Sequence, residues 1–372
     1  MQKVFYRHAS CIFACEMSFK IFLSLLFAGF ISLFSSFSSI GNGGEQRFCS
    51  QSSHESFCIA FYNVENLFDT KDDPNVDDEE FTPNGKQHWT NDKYAKKISN
   101  IAKVVRAMND GNGADIVGFA EVENKGVLED LIADPQLKKL NYGIAHHDSP
   151  DKRGIDVAMI YKKDVFKVLG QKYFTVDVSK YEDKPTRDIV MVKGIAGKDD
   201  TLNIFLNHWP SRREGKDISE PKRIAAATAL KRVVDSLQKI NPWTNILIMG
   251  DFNDNPPDKS LNEILGAKNK IDLSYGAPLY DCDSYFDWKN GEGTEFYRGQ
   301  WSRFIQIITN SSLIAHQVTM DGYFKDIHIF KPDWLLKEDE TSHQMIPHRT
   351  FEDGDSTIGF SDHLPVYIVI RN

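Results

Sequence analysis

Cys58-Ile-Ala-Phe-Tyr62 leads directly into Asn63-Val64-Glu65-Asn66, so that an apolar run ends abruptly in polar side chains. The run has the length and composition of a buried β-strand. Four later apolar runs end in the same manner. They lead into the segments Glu121-Val122-Glu123-Asn124, Asn207-His208-Trp209-Pro210-Ser211-Arg212, Asp251-Phe252-Asn253-Asp254 and Ser361-Asp362-His363.

Strand ends are where layered α/β folds gather their functional side chains, because the backbone there is rigid while the loops are free to vary. We therefore expect the five ends to lie together. Their oxygen-rich side chains suit hard cations such as magnesium, manganese or calcium, and the histidines suit an anionic substrate. Each residue alone also fits an ordinary turn, surface or core position, so the prediction rests on the combination.

The rest of the chain alternates short apolar runs with amphipathic helices. Three- and four-residue apolar spacing predicts helices over residues 91–108 and 220–240, the second opening at Pro221. The pattern indicates an α/β or α+β protein with layered sheets and helices. Further strands are predicted over residues 58–64, 115–122, 155–161, 189–195, 202–209, 245–249, 303–308, 324–330 and 366–370.

These motifs, in this order, resemble the endonuclease/exonuclease/phosphatase family. The resemblance runs from about residue 59 to residue 370. It rests on NVENLFD at residues 63–69, AEVEN around Glu121, RGID at residues 153–156, and the NHWPSR, GDFN and SDH motifs. It implies two packed β-sheets flanked by helices, a four-layer sandwich, with one catalytic domain over residues 57–372.

The resemblance also implies a role for each polar residue. Glu121 would be the principal metal ligand, with Asn63 beside it and Asp362 completing the site. Asp251 would orient or deprotonate the attacking water, and Asn253 would fix the phosphate and Asp251. The expected cofactor is Mg²⁺, with Mn²⁺ and Ca²⁺ as alternatives.

Cationic and hydrogen-bonding groups complete the expected site. His208 and His363 would bind the non-bridging phosphate oxygens and stabilise the charge that develops on them. Arg153 and Arg212 are further candidates for phosphate binding because of their charge and location. No covalent intermediate is needed, since a carboxylate readies the water directly.

The sequence departs from the family pattern at Ile305. The family usually has an aspartate there, which forms a hydrogen bond with the final histidine, here His363. Without that partner the imidazole loses orientation and part of its preference for the charged form, which predicts a weakened or altered enzyme. An aspartate from a loop would be a substitute, and the candidates are Asp281, Asp283, Asp287 and Asp321.

Composition narrows the function further. The formal net charge of −9 argues against a protein that coats nucleic acid, because neutralising phosphates drives such binding. It does not argue against a nuclease with a local basic cluster around a metal. We predict a metal-dependent phosphodiester hydrolase of the endonuclease type, with nucleic acid as substrate and no obligate protein partner.

Two alternatives stay open. The same chemistry on a phospholipid or a small phosphodiester or phosphate compound would suit exposed aromatic side chains, and Trp288, Phe296, Tyr297 and Trp301 are candidates. The other alternative is a binding protein that kept the fold and lost catalysis, which Ile305 favours.

The N-terminus predicts export. Residues 1–40 combine Lys20 with a following apolar run and a serine-rich exit, which is typical of a signal peptide or a membrane anchor. Residues 41–56 would be a short linker. The protein is then secreted, periplasmic or anchored to the membrane, and Cys49 and Cys58 are a candidate disulfide pair.

Overall fold

The computed structural model describes residues 56–197, 200–274, 278–286, 292–320, 322–352, 355–356 and 358–371. The α-helices are α1 (Asn91–Ala107), α2 (Lys125–Ala133), α3 (Lys216–Ile240) and α4 (Ser311–Ile314). The strands are β1 (Ser56–Leu67), β2 (Ile116–Val122), β3 (Tyr142–His146), β4 (Asp156–Lys162), β5 (Phe166–Phe174), β6 (Ile189–Ala196), β7 (Asp200–His208), β8 (Asn245–Asp251), β9 (Tyr280–Asp281), β10 (Glu295–Tyr297), β11 (Gln300–Ser302), β12 (Ile305–Thr309), β13 (Ile327–Ile329), β14 (Leu336–Glu338), β15 (Met345–Pro347), β16 (Phe351–Glu352), β17 (Asp355–Ser356) and β18 (Val366–Arg371).

Two six-stranded sheets carry the described fold. The first sheet has the order β13-β18-β1-β2-β4-β3, and the second has the order β5-β6-β7-β8-β12-β9. Both are mixed, because β1 and β2 run parallel, as do β7 and β8, whereas the other pairings within these sheets are antiparallel. The pairs β10–β11, β14–β15 and β16–β17 form separate two-stranded ribbons.

Alternation along the strands builds a core between the sheets. In β1, Ile59 and Phe61 face the second sheet, whereas Ala60 and Tyr62 face the helices on the opposite side. Such alternation is expected because successive side chains of a strand point to opposite faces. Both faces of the central strands are therefore apolar and buried.

Helices cover the two outer faces. Helix α1 packs Ile101 and Val105 on the first sheet, together with Leu128 of α2. Helix α3 packs Leu230 and Val234 on the second sheet. The order helix, sheet, sheet, helix confirms the predicted four-layer sandwich.

The parallel pairs explain why the strand ends meet. Asn63 of β1 is in register with Ala120 of β2, next to Glu121. His208 at the end of β7 is in register with Asp251 at the end of β8. Since the carboxyl ends of parallel strands share one edge of a sheet, each sheet contributes one pair of polar residues to the same side of the sandwich.

Most predicted elements are confirmed, with shifts of a few residues at their ends. The prediction that Pro221 opens the second long helix is wrong, because α3 begins at Lys216. The buried side chain of Arg223 donates to the carbonyl of Lys216 at 2.9 Å and to the Ser219 hydroxyl at 2.6 Å. Through these bonds Arg223 supplies hydrogen-bond donors to the helical turn that precedes Pro221.

The predicted leader over residues 1–40, nearly all of the linker over residues 41–56, and Cys49 lie outside the described residues. Cys58 and Cys282 are buried free thiols. Within the described ranges, no helix combines the length and the apolar character that crossing a membrane requires.

Candidate active site

The side chain of Asn63 joins the two sheets at the strand ends. Its amide nitrogen donates to Oδ2 of Asp251 at 2.9 Å and lies 3.4 Å from Oε1 of Glu121. Its amide oxygen accepts the backbone N–H of Glu65 at 3.0 Å. In this arrangement Asn63 orients two carboxylates, and its oxygen is already engaged.

Glu121 lies at an irregularity in the strand pairing. The register of β2 shifts between Ala120 and Val122 relative to β4, and Glu121 has a φ of 65°, in the left-handed region. Its Oε2 accepts the backbone N–H of Asn66 at 2.9 Å. The side chain is 15% exposed, so this carboxylate is fixed by the backbone and still open to a ligand.

Asp251 is buried and held from two sides. Its Oδ1 accepts the backbone N–H of Asn253 at 3.0 Å, while Oδ2 faces Asn63. Asn253 also has a left-handed backbone, with a φ of 51°, and its side chain donates to the carbonyl of Trp209 at 3.0 Å. The turn after β8 therefore fixes the orientation of the Asp251 carboxylate.

His208 is a buried histidine between carboxylates. Its Nε2 lies 3.8 Å from Oε1 of Glu121 and 3.9 Å from Oδ2 of Asp251. Burial, together with the charges of Arg187 and Arg153, lowers the pKa of His208 well below its ordinary value. This imidazole is neutral at pH 7, and its Nδ1 has no hydrogen-bond partner among the described residues.

His363 has the opposite electrostatic setting. Its Nε2 lies 3.6 Å from Oδ2 of Asp251 and 3.8 Å from Oδ1 of Asp362. Burial opposes the charged form, but Asp362, Asp251 and Glu295 together raise the pKa of His363 to about 9. The site therefore holds one neutral and one protonated imidazole at neutral pH.

Asp362 is positioned by a network beneath the site. Arg349 donates to Oε1 of Glu65 at 3.0 Å and lies 3.4 Å from Oδ2 of Asp362. The backbone N–H of Thr350 donates to Oε2 of Glu65 at 2.6 Å. Ser361 donates its hydroxyl to the carbonyl of Asn63 at 2.7 Å, which attaches the SDH turn to β1.

Glu295 is a site residue that the sequence pattern did not identify. It pairs across an isolated bridge with His363, and the ligand atoms of Glu295, Asp362 and His363 lie within 4.8 Å of one another. Burial raises the pKa of Glu295 to about 7. The residue follows no apolar strand; it arrives on the β10–β11 ribbon, so the strand-end pattern could not find it.

Ile305 is fully buried and paired with Asp251 across β12 and β8. Two of the aspartates considered as substitutes hold the backbone elsewhere. Asp283 accepts the N–H of Ile307 at 3.0 Å, and Asp281 accepts the N–H of Asp283 at 2.9 Å. The other two candidates, Asp287 and Asp321, lie outside the described residues.

The donor set fits a divalent cation. Four carboxylates, those of Glu121, Asp251, Glu295 and Asp362, act together on His363. Close carboxylates disfavour one another's charged forms, and a hard cation with oxygen ligands relieves this repulsion. Glu295 and Asp362, which cluster with His363, and the predicted ligand Glu121 are the residues that would hold such an ion.

The two predicted phosphate-binding arginines lie in different settings. Arg153 has a side chain that is 35% exposed, and its charge acts on both His208 and Glu121. Arg212 is engaged instead, because it pairs with Asp254 and with Asp258, each at 2.5 Å, and donates to the carbonyl of Asn253 at 2.6 Å.

Arg187 is a second residue near the site that the sequence pattern did not identify. It donates to the carbonyls of His208 and Trp209, at 3.2 and 2.9 Å, and pairs with Asp151 at 2.8 Å. It stands before a strand rather than after one, which is why the strand-end pattern passed over it.

The aromatic residues considered for contact with a lipid surface differ in their exposure. Phe296 and Trp301 pack edge to face with ring centroids 5.3 Å apart, and the Trp301 indole donates to Gln344. Tyr297 is 59% exposed. Trp288 lies outside the described residues.

Three solved structures share this fold at low sequence identity. The truncated TDP2 of Caenorhabditis elegans is 15% identical with a TM-score of 0.51, and the match covers 85% of this chain and 98% of that one. An endonuclease/exonuclease/phosphatase family protein of Bacteroides thetaiotaomicron is 16% identical with a TM-score of 0.50, covering 85% and 97%. A mannosyl-6-phosphatase of the same organism is 14% identical with a TM-score of 0.50, covering 84% and 99%.

No curated protein matches this chain. The family profile described as the Endonuclease/Exonuclease/phosphatase family matches residues 58–372, which include every predicted site residue. The protein therefore belongs to the endonuclease/exonuclease/phosphatase family, whose members are hydrolases that act on phosphoester bonds.

Proposed function

We propose that the protein is an exported, Mg²⁺-dependent phosphodiesterase of the endonuclease type, with nucleic acid as its substrate. The observation that carries the proposal is the placement of Asp251, whose carboxylate lies within 4 Å of both His208 and His363 and is held by Asn63. Hydrolysis of a phosphodiester needs a base for water and fixed donors for the phosphate oxygens. This cluster supplies both.

Asp251 is the group that readies the attacking water. Bonds from Asn63 and from the N–H of Asn253 fix its orientation. A carboxylate whose direction is set before the substrate arrives needs little reorganisation during the reaction. The water would be activated directly, with no covalent intermediate on the protein.

The two histidines divide the phosphate contacts. His363, protonated at neutral pH, offers a charged donor to a non-bridging oxygen, which is the stronger kind of hydrogen bond. Neutral His208 donates from one nitrogen only, and its tautomer decides which. Stabilisation of the developing negative charge is concentrated at His363.

Glu121, Asp362 and Glu295 would hold the cation, and Asn63 orients Glu121. When bound, Mg²⁺ polarises the phosphoryl group and neutralises part of its charge. Mn²⁺ and Ca²⁺ are the alternatives that the same oxygen ligands accept.

A phosphate monoester is the second candidate substrate. A mannosyl-6-phosphatase shares this fold, and a basic pocket lies next to His208 in the present protein. A phospholipid is a third candidate, which the exposed Tyr297 favours weakly because a single exposed aromatic is ordinary at a protein surface.

A substrate panel tests these assignments. The full chain would be incubated with single-stranded and double-stranded DNA, RNA, phosphatidylcholine vesicles and mannose 6-phosphate, in Mg²⁺ and in EDTA. We expect Mg²⁺-dependent cleavage of nucleic acid that Asp251→Asn lacks. Cleavage of only the lipid or the sugar phosphate would overturn the nucleic-acid assignment and keep the family chemistry. Cleavage of none of these substrates would favour the alternative of a binding protein that kept the fold and lost catalysis.

Export is proposed from the sequence of residues 1–40 alone. N-terminal sequencing of the protein recovered from the producing cell would test it. A mature terminus within or just after residues 35–44 supports a cleaved signal peptide, and an intact terminus in the membrane fraction supports an anchor. An intact terminus in the cytosol contradicts export.

A further inference from the structure

A basic pocket adjoins the candidate active site beside His208. It has a volume of about 250 Å³, and its lining includes Arg153, Arg187 and Arg213. Pockets for whole drug-sized ligands measure roughly 300–1,000 Å³. The size therefore suits one chemical group of a substrate rather than a complete ligand.

The charge of the pocket is positive although the protein as a whole is acidic. Six lining residues are basic and three are acidic. The acidic residues already have partners: Lys222 pairs with Glu182 and Glu214, at 3.0 and 2.9 Å, and Arg187 pairs with Asp151 at 2.8 Å.

Two lining cations are left over. Arg213 and Lys152 are both exposed, and no carboxylate of the described residues pairs with either. Among the described residues, Lys184 pairs with Asp77 alone, at 3.4 Å, through two side chains that are more than half exposed. Such an exposed pair is weak and gives way readily to a competing anion.

Like charges crowd together in this region. Burial lowers the pKa of Arg153, and the neighbouring charges of Arg187 and Arg213 lower it further. The same three arginines act on His208. Arg153 and Arg187 share the single carboxylate of Asp151, at 3.6 and 2.8 Å. An excess of cations of this kind favours an anion with several oxygen acceptors, and arginine suits phosphate because its planar fork matches two oxygens at once.

The pocket shares a wall with the reaction centre. Pro210 and Ser211 line it, and they follow His208 by two and three residues in the chain. Since consecutive Cα atoms are about 3.8 Å apart, the backbone of Pro210 lies within about 8 Å of that of His208. Arg187, which also lines the pocket, donates to the carbonyl of His208 at 3.2 Å, so the pocket lies next to the strand end that carries His208.

We infer that this pocket binds a second phosphate of the substrate, one that is not cleaved. The inference rests on the proposed function and narrows its substrate class to phosphodiesters that carry another phosphate nearby. A nucleic-acid strand with a terminal phosphate and a small doubly phosphorylated compound share this chemistry. The uncleaved phosphate lowers the KM and sets where the cleaved ester lies.

A matched pair of substrates tests the inference. Thymidine 3′-(p-nitrophenyl phosphate) carries only the ester to be cleaved, and its 5′-phosphorylated form adds one phosphate. For the full chain in Mg²⁺ we expect a KM lower by about tenfold or more for the phosphorylated form, since a hydrogen bond to a charged group contributes this much. In the double variant with Lys152→Ala and Arg213→Ala the two KM values become similar.

Arg232→Ala is the control, because Arg232 is also an exposed arginine but lies sixteen residues beyond the start of α3, about 24 Å along the helix. It should keep the ratio of the two KM values. Equal KM values in the wild-type protein would overturn the second-phosphate site while leaving the phosphodiesterase intact. Turnover of neither ester would instead count against the proposed function.

Direct binding provides a readout that does not need turnover. In EDTA, calorimetry would compare thymidine 3′,5′-bisphosphate, thymidine 3′-monophosphate and fructose 1,6-bisphosphate. Tighter binding of the nucleotide bisphosphate alone, lost in the double variant, supports the site and a strand as its source. Tight binding of both bisphosphates supports the site and a small compound. Equal affinities for thymidine 3′-monophosphate and thymidine 3′,5′-bisphosphate would contradict the second-phosphate site.

Discussion

Glu121 and Asn253 have left-handed backbones, with φ of 65° and 51°. A side-chain-bearing residue in this region costs about 1–3 kcal/mol when the conformation is a strained one, and it persists only where surrounding bonds hold it. The backbone N–H of Asn66 donates to the side chain of Glu121, and the side chain of Asn253 donates to the carbonyl of Trp209. Both residues bend the chain so that a functional side chain faces the site.

Glu295 is a candidate cation ligand and also one of the carboxylates that favour the charged form of His363. We predict that Glu295→Gln lowers kcat by roughly 10–100-fold, the usual effect of losing a group that orients a metal or phosphate ligand. It should also lower the pKa of His363, because one of the carboxylates that favour the imidazolium is gone. NMR titration of the histidine and steady-state kinetics check both effects. Glu292→Gln, three residues away, is the control; an unchanged His363 pKa in Glu295→Gln would contradict the assignment.

His363 also makes a pH-dependent contribution to stability. Its pKa is raised from 6.5 to about 9, so the folded state holds the proton more tightly than the unfolded state. That stabilisation is complete below about pH 6.5 and is lost as the pH rises through 9. A shift of this size corresponds to about 3 kcal/mol.

We therefore predict that, in EDTA, the wild-type protein is more stable than His363→Gln at pH 6.5 and that this difference in the free energy of unfolding disappears as the pH rises to 9. Denaturant unfolding at several pH values measures it. His343→Gln, at an exposed histidine, is the control for the substitution itself. If the free energies of unfolding of wild type and His363→Gln differ by the same amount across this pH range, the pKa of His363 is not raised.

Five of the site residues end or follow an apolar strand, and the parallel pairing brings those strand ends together. Asp362 and His363 instead precede β18, which pairs antiparallel with β1 and so starts at the same edge. Glu295 and Arg187 do not follow from local sequence. They reach the site through the tertiary placement of a ribbon and of a strand start, which no short-range pattern encodes. The engagement of Arg212 by two aspartates is likewise a tertiary fact.

At the scale of elements, α1 holds the SDH turn in place. Buried Lys97 donates to the carbonyl of Phe360 at 2.8 Å and to the Thr350 hydroxyl, while Thr350 is bonded to Glu65 of β1. Burial lowers the pKa of Lys97 to about 8. A helix of the outer layer is thus connected to the turn that carries Asp362 and His363.

Replacing this lysine should loosen the connection. We predict that Lys97→Met destabilises the protein by about 2–3 kcal/mol, because the carbonyl of Phe360 and the hydroxyl of Thr350 both lose a hydrogen bond from a charged donor. Denaturant unfolding measures the change. Lys96→Met, at the exposed neighbouring lysine, should stay within about 0.5 kcal/mol of wild type. Similar effects of both variants would mean that Lys97 has no special structural role.

The predicted elements succeed where a strand is buried on both faces or a helix has a regular apolar stripe. Of the strands in the two six-stranded sheets, the sequence pattern missed β3, β5 and the two-residue β9. The exposed positions of β5 follow no regular alternation. The sequence pattern also placed the start of α3 at the proline, because the bonds of Arg223 to the preceding turn are not visible in local sequence.

At the scale of the whole molecule, two sheets contribute carboxylates to one side of the sandwich, and the repulsion among them favours a bound cation. We predict that Mg²⁺ raises the melting temperature by a few degrees relative to EDTA, since a ligand of the folded state stabilises it by mass action. Glu121→Gln should lose this rise, and Glu129→Gln, at an exposed glutamate of α2, should keep it. Differential scanning calorimetry decides between these outcomes.

The most direct test of the account is hydrolysis of bis(p-nitrophenyl) phosphate by the full chain, in Mg²⁺ and then in EDTA, with Asp251→Asn beside the wild type. We predict release of p-nitrophenol that requires the cation and falls by roughly 10²–10⁴-fold in the variant, the usual contribution of a positioned base. Release that persists equally in EDTA, or that Asp251→Asn leaves unchanged, would contradict a metal-assisted site built around Asp251.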